Sequence, residues 1–295
     1  MKPSAPTEIE LKLALAPDGP VALCQHPLLE GLTPQRQTLI NTYFDTPQGA
    51  LAQAHIAVRL RQVDDQVLQT VKTAGHGGGG FSQRQEWEWP VASLALDTQG
   101  LAELPPFQGE ASQVISALAP RLNTDFVRQS WQVVWQESHI ELALDQGEIH
   151  SGGYQATICE AELELKKGEP EALWSLALAL AEHVPLRPSD SSKAARGNAL
   201  AAQHWPLPEA TTPAQWMHRA TLALDAYHDS HSAEHLAIAQ TALATLSAEP
   251  SLTDEEHDDT ETMRHALEIS NQPNVAYGQA ALAFAHRLAY QTALR

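Results

Sequence analysis

The chain has 295 residues, about twice the usual ~150-residue domain, so its length leaves room for two. Its composition, 43% apolar and 18% charged, is that of a globular protein and excludes wholesale disorder. The 36 acidic against 18 basic side chains give a formal charge of −18, which repels nucleic acid and anionic membranes unless the scarce cations converge at one place. Two cysteines, Cys24 and Cys159, make no disulfide framework and no CxxC pair. Glu8, Glu10 and Lys12 fall where a signal peptide needs an apolar stretch, and no run approaches the ~18 apolar residues of a membrane span. The expectation is a soluble, cytoplasmic protein that binds neither nucleic acid nor membrane.

From Thr7 to about Ile158 the pattern is β-rich. Short alternating segments occur at Glu8–Lys12, Ala57–Arg61, Val67–Lys72, Gln83–Trp89, Gln132–Gln136 and His139–Asp145, followed by Ile158–Lys166. Turn signals separate them, among them Thr46-Pro-Gln-Gly49, the glycine-rich Gly75–Gly80 and Asp145-Gln-Gly147. Strands without long intervening helices predict an antiparallel sheet or barrel rather than a doubly wound fold. Helices are predicted over Glu110–Leu122, over Glu169–His183 (Pro170 at its start, Pro185 beyond its end), and over Ser191–Gln203. A proline-rich linker at 206–213 follows. Beyond it, Ala- and His-rich helical pattern covers Ala214–Ser230, Ala233–Leu246, Asp254–Ser270 and Val275–Leu294. The predicted organisation is a β-rich domain at 1–205, the linker, and a small helical bundle at 214–295.

Residues two apart on a strand share a face. By that rule Glu8, Glu10 and Lys12 align, as do Arg59 with Arg61, Thr70 with Lys72, and Arg84 with Glu86 and Glu88. Glu141 aligns with Asp145, and Glu160, Glu162, Glu164 and Lys166 form one row. Amphipathic strands with a solvated face explain any one of these rows. Their repetition asks for more, because like charges ~7 Å apart on one face repel. A barrel with all charged faces inward would enclose both signs and suit a polyphosphate with its metal ions. Carboxylate oxygens select Mg2+ or Mn2+, and Arg is the natural bidentate partner of phosphate. The apolar faces would then point outward, covered by the helices at 169–183 and 191–203, with Cys159 packed among them.

Glu8-Ile-Glu-Leu-Lys12 resembles the N-terminal ExExK signature of the CYTH superfamily, the triphosphate tunnel metalloenzymes. Further landmarks follow in order: Tyr43-Phe-Asp-Thr-Pro47, Val58-Arg-Leu-Arg61, Thr70-Val-Lys72, Arg84-Gln-Glu86, Glu141 to Glu148, Cys159 to Leu165 and Ser192-Lys-Ala-Ala-Arg-Gly197. The chain is most similar to bacterial inorganic triphosphatases in which a CYTH domain precedes a helical CHAD domain. The resemblance implies an α+β architecture: an eight-stranded antiparallel β-tunnel with flanking helices, followed by a small all-α bundle. It also implies that Glu8, Glu10, Glu160, Glu162 and Glu164 hold metal, with Glu86 and Asp145 as further acidic partners. Lys12, Arg59, Arg61, Lys72, Arg84, Lys193 and Arg196 would grip phosphates. Of these, Glu8, Lys12, Arg59, Arg61 and Lys72 would take part in metal-assisted hydrolysis of a linear triphosphate.

Tripolyphosphate, thiamine triphosphate and ATP compete as substrates. Thiamine or adenine needs an aromatic platform, and alternation turns Trp87 and Trp89 outward, which favours tripolyphosphate. A non-catalytic polyphosphate-binding module is the reading from another class, and the retained acidic rows weigh against it. Gly75–Gly80 lacks the Gly-Lys-Ser/Thr of a P-loop and reads as a flexible connection near the tunnel mouth. The helical remainder reads as a reduced CHAD-like bundle short of basic residues. In it, His228, His231 and His235 have spacings that put them on one helical face, where they either ligate zinc or make ordinary surface and helix contacts.

Overall fold

The computed structural model describes residues 7–293, with the side chains of 110 and 290–293 left aside; residues 1–6 and 294–295 of the predicted ranges lie outside the described residues. Strands β1 (Thr7–Leu15), β2 (Gln35–Asp45), β3 (Ala57–Val63), β4 (Gln66–Lys72), β5 (His76–Gly78), β6 (Phe81–Val91), β7 (Ala119–Trp135), β8 (Ser138–Ser151), β9 (Tyr154–Lys167) and β10 (Leu186–Pro188) form one antiparallel sheet. Its order is β10-β1-β9-β8-β7-β2-β3-β4-β6-β5, and an additional β1–β6 pairing joins Thr7 to Gln85 and Glu8 to Arg84. Eight strands therefore close on themselves, and the short β5 and β10 are appended. Closure removes the open edges of the sheet and creates an inside and an outside.

The outside is the larger apolar face. Leu11 and Leu13 of β1, Ile140, Leu142 and Leu144 of β8, and Leu163 of β9 pack under a helix at Glu171–Ala181 through its Leu173, Trp174, Leu176 and Leu180. Cys159 joins this packing, and burial together with the Glu160 carboxylate pushes its thiol up to about 11, which makes it a packing residue rather than a nucleophile. Trp87 and Trp89 turn outward into a second cluster with Val58, Val71 and Phe107, as alternation predicts.

Two sequence readings need correction. The predicted helix at Glu110–Leu122 is a 3-10 segment, Gly109–Ala117, that gives way to β7 at Ala119. Its Ala/Ile content has helical spacing, but Leu122, Thr124 and Phe126 alternate inward and recruit the chain into the barrel. The helix Lys193–Ala202 does not cover the outside. Its Leu200, with Ala194 and Trp205 nearby, packs on Leu39, Tyr43, Leu122, Phe126, Ile149 and Ile158, which by strand alternation face inward. The helix thus plugs the apolar part of the barrel interior. A Cβ on Gly197 would stand 2.6 Å from Leu122, so glycine is required for this approach.

Helices α1 (Gly19–Cys24), α2 (Ala50–Gln53) and α3 (Thr98–Glu103) sit in the connections, and α4 and α5 are the covering helix Glu171–Ala181 and the plug Lys193–Ala202. The C-terminal part forms α6 (Pro213–Ser230), α7 (Ala233–Ser247), α8 (Asp254–Ser270) and α9 (Val275–Ala293) around Met217, Leu224, Leu243, Leu246, Met263 and Phe284. Leu282 and Ala285 of α9 also enter the barrel's outer core. Among the described residues no helix is long and apolar enough to cross a membrane. The histidines predicted to share a helical face do not: His231 caps α6 with a left-handed φ of 54°, and His235 begins afresh on α7, its Nδ1 2.7 Å from Ser230 Oγ. The physical reason is the helix break itself, which resets the 3.6-residue period.

Candidate active site

Inside the barrel lies a cavity of about 1080 Å³ lined by eight carboxylates and eight Lys or Arg side chains. Eight of the chain's 18 cations therefore converge on one space, as the composition requires of an acidic protein that binds a polyanion. Sheet register explains the convergence. Arg59 and Arg61 on β3 stand opposite Tyr43 and Asn41 on β2; Lys72 on β4 faces Glu86 on β6; Glu10 and Lys12 on β1 face Glu164 and Glu162 on β9.

On the β1–β6 side, Lys72 Nζ donates to Glu8 at 2.7 Å, and Arg84 donates to Glu8 at 2.8 Å and to Glu10 at 2.6 Å. Burial alone would raise the Glu8 carboxyl, but the Lys72 and Arg84 charges outweigh it and hold Glu8 far below the usual carboxylate range. Glu10 behaves oppositely. Burial, with the Glu162 and Glu8 charges, pushes it up despite Arg84 and Lys72. Burial also raises Glu86, which lies 3.4 Å from Lys72, and Glu164, which lies 2.6 Å from Lys166.

On the β8–β9 side, Asp145, Glu160 and Glu162 bring carboxylate oxygens within 4.8 Å of one another. Lys193 Nζ donates to all three, at 2.7, 2.5 and 3.0 Å, and lies 4.9 Å from the centre of the Phe126 ring. Arg128 chelates Asp145 at 2.7 Å through two nitrogens and also donates to Glu162. Glu162 is held well below its ordinary value because Lys193 and Arg128 overcome its burial. Arg128 was absent from the sequence-predicted set, since its strand was read in part as helix. Its register partner Asp145 was the signal that could have found it.

Two cations lack such compensation. Lys12 is only 6% exposed and has no ion pair or side-chain hydrogen bond among the described residues. Arg61 donates to Asn41 Oδ1 at 2.8 Å and forms no ion pair among the described residues; burial and repulsion from Arg59 and Arg128 push it down to about 10, still charged at neutral pH. Arg59 bonds to Thr70 at 3.3 Å and Tyr43 at 3.4 Å, with Glu86 4.0 Å away. An unpaired buried cation is costly, and a bound anion removes the cost.

The predicted site residues divide accordingly. Glu8, Glu10, Lys12, Arg59, Arg61, Lys72, Arg84, Glu86, Glu162, Glu164 and Lys193 all line the cavity. Asp145 and Glu160 do not; they are buried partners of Arg128, Lys193 and Arg196. Arg196 does not line it either, for its guanidinium donates to Asp229 at 2.6 Å and to the Thr157 carbonyl at 2.6 Å. Gly75–Gly80, read as a flexible connection, contributes β5 and is tied down: Gly80, at φ +87°, donates to Asp190 at 2.7 Å, and its carbonyl accepts from the Lys12 amide at 2.9 Å.

For a metal ion, Asp145, Glu160 and Glu162 offer carboxylate oxygens within 4.8 Å of one another, and Glu8, Glu10 and Glu164 add cavity-lining carboxylates on the paired strands β1 and β9. They offer only hard oxygens, and the raised Glu10 and Glu164 are carboxylates in want of positive charge. The donor set fits a hard divalent cation.

A closed antiparallel barrel whose interior cavity is lined by interleaved acids and bases defines the class: a charged β-tunnel. The CYTH domain family model matches residues 6–197, and the chain belongs to that family. An inorganic triphosphatase of Haemophilus influenzae is 37% identical over 201 residues, covering 67% of this chain and 56% of that protein, so the chain spans little more than half the length of this relative. Among solved structures, a Hippeastrum adenylyl cyclase described as having a dominant triphosphatase activity aligns at 22% identity with a TM-score of 0.49, covering 68% of this chain and 98% of the other. A Pyrococcus horikoshii protein aligns at 20% identity with a TM-score of 0.42, covering 63% and 94%.

Proposed function

We propose that the chain is an inorganic triphosphatase, hydrolysing tripolyphosphate to pyrophosphate and phosphate with Mg2+ or Mn2+. The observation that carries this reading is a cavity that gathers two buried cations with no ion pair among the described residues, Lys12 and Arg61, together with a set of carboxylates. A linear polyanion satisfies the first, and a divalent cation the second. The family relationship and the named activity of the Haemophilus relative support the same reading.

In this reading Lys12, Arg59, Arg61, Lys72, Arg84 and Lys193 bind phosphate oxygens. Lys12, Arg59, Arg61 and Lys72 stabilise the charge that develops on the leaving pyrophosphate. Glu8, Glu10, Glu162 and Glu164 would hold the divalent ion, which when bound neutralises phosphate charge and makes a water more acidic. At rest Glu8 is a poor base, because Lys72 and Arg84 occupy it. Phosphate that draws those two cations away frees the Glu8 carboxylate for the divalent ion or for a hydrogen bond from the attacking water. Asp145, Glu160 and Arg196 act behind the wall rather than on substrate. Among the described residues the cavity carries no Trp, and its only Tyr and Phe are Tyr43 and Phe81, so thiamine or adenine finds little to stack on.

Phosphate release from tripolyphosphate, ATP and thiamine triphosphate, each with and without Mg2+ or Mn2+, tests the assignment. Metal-dependent release confined to tripolyphosphate is expected. Equal release from all three would assign a general triphosphatase, and none with any substrate would leave a polyphosphate-binding module.

A further inference from the structure

The family match ends at residue 197, yet α6, which begins at Pro213, reaches the tunnel. Asp225 of α6 is buried and accepts three hydrogen bonds: from Arg187 Nη1 on β10 at 2.6 Å, from the Asp190 amide at 3.1 Å and from the Ser191 amide at 3.0 Å. Those two amides belong to the strap that leads from β10 into α5. The strap also touches the tunnel wall, because the Ser189 amide donates to the Lys12 carbonyl at 3.1 Å and the Asp190 carboxylate accepts from Gly80 at 2.7 Å. One turn further along α6, Asp229 takes Arg196 of the plug helix at 2.6 Å. Lys193 lies between these two anchor points.

We infer that Asp225 is a positioning residue: a carboxylate outside the family domain that fixes the 189–192 strap, and through it the phosphate-binding Lys193 and Lys12. The inference rests on the triphosphatase reading. Asp225 does not line the cavity and touches no substrate; its action is to hold two backbone amides in place, which a neutral acceptor oxygen also does. In the triphosphatase reading both lysines already contact phosphate in the ground state and Lys12 also serves the leaving group, so loosening them raises KM with a smaller fall in kcat.

The full chain is tested as three proteins. Arg187→Met with Asp225→Leu removes the ion pair without leaving a lone buried charge, a replacement that usually preserves stability, but it strips the strap amides of their acceptor. Arg187→Met with Asp225→Asn restores an acceptor oxygen without the charge. Positioning predicts that the Met/Leu protein, folded by circular dichroism at the assay temperature, shows KM for tripolyphosphate raised about tenfold with a smaller change in kcat, and that Met/Asn brings KM back to within about threefold of wild type. Amide hydrogen exchange at 189–192 should quicken in Met/Leu and slow again in Met/Asn. A folded Met/Leu protein with wild-type KM and exchange overturns the inference. So does a Met/Leu protein that fails to fold while Met/Asn folds with KM raised tenfold or more above wild type. An inactive wild type refutes the triphosphatase reading instead, and hydrogen exchange then decides the strap on its own.

Discussion

Lys12 offers the sharpest separation between stability and function. It is a buried ammonium, 6% exposed, without an ion pair or side-chain hydrogen bond among the described residues. Lys12→Met keeps the length of the side chain and removes its charge. An isolated ion carries a desolvation penalty of several kcal/mol in a sealed interior; facing a cavity of about 1080 Å³ that water can enter, Lys12 bears a fraction of it, about 1 kcal/mol. Its removal should therefore raise Tm by roughly 2 °C for a protein of this size. Against that, a charged hydrogen bond to phosphate is worth about 1.5–3 kcal/mol, so kcat/KM for tripolyphosphate should fall roughly 10- to 100-fold. Differential scanning fluorimetry and a phosphate-release assay on the same preparation read both numbers. A variant that loses stability and keeps its activity would refute the argument, because Lys12 would then have an intramolecular partner and no ligand.

Glu10→Gln removes a carboxylate whose raised pKa already counts against folding, so Tm should hold or rise while metal-dependent turnover falls at least 100-fold; full activity would show that β1 does not hold the metal. Glu162→Ala differs, since it also strips Lys193 and Arg128 of a partner; it should lower Tm by several degrees and abolish turnover, and an unchanged melting curve would contradict the ion-pair network. The pH dependence of metal binding follows from the signs. Raised folded pKa values make Glu10, Glu86 and Glu164 favour folding below the ordinary carboxylate range, and that contribution is lost as pH rises through their folded values. Glu8 and Glu162, held low, contribute above that range and lose their effect only as pH falls through their folded values. Mg2+ should therefore raise Tm more at pH 7.5 than at pH 5, and equal shifts at both would exclude the carboxylate face as its site. Deleting residues 206–295 tests the division into 1–205, linker and bundle. It leaves Arg187 and Arg196 buried without Asp225 and Asp229, at roughly 3–5 kcal/mol each, so an insoluble fragment is expected, and a soluble, cooperatively melting one would establish an independent domain.

Period-two alternation groups the charged side chains of β1, β3, β4, β6, β8 and β9 on one face, and the repetition of both signs, which a polyanion with its metal would bring together, is what turns that face inward. What it leaves open is pairing. Glu8 and Lys72 are 64 positions apart, and only the β1–β6 closure and the β4–β6 register bring them to 2.7 Å. The same gap hid Arg128, whose strand follows a stretch of helical spacing, and it misassigned Arg196, whose motif says that it is cationic but not which carboxylate claims it. Asp229 makes that claim from a helix outside the motif region. Charge sign and facing are local properties of a strand, whereas compensation depends on which carboxylates the fold brings to each cation. Lys12 on β1 and Lys193 on the plug helix have one sign and both line the cavity, yet Lys193 pairs with three carboxylates and Lys12 forms no ion pair among the described residues. That difference gives Lys193 a structural share of its charge, and under the proposed function it leaves Lys12 the freer of the two to meet a phosphate.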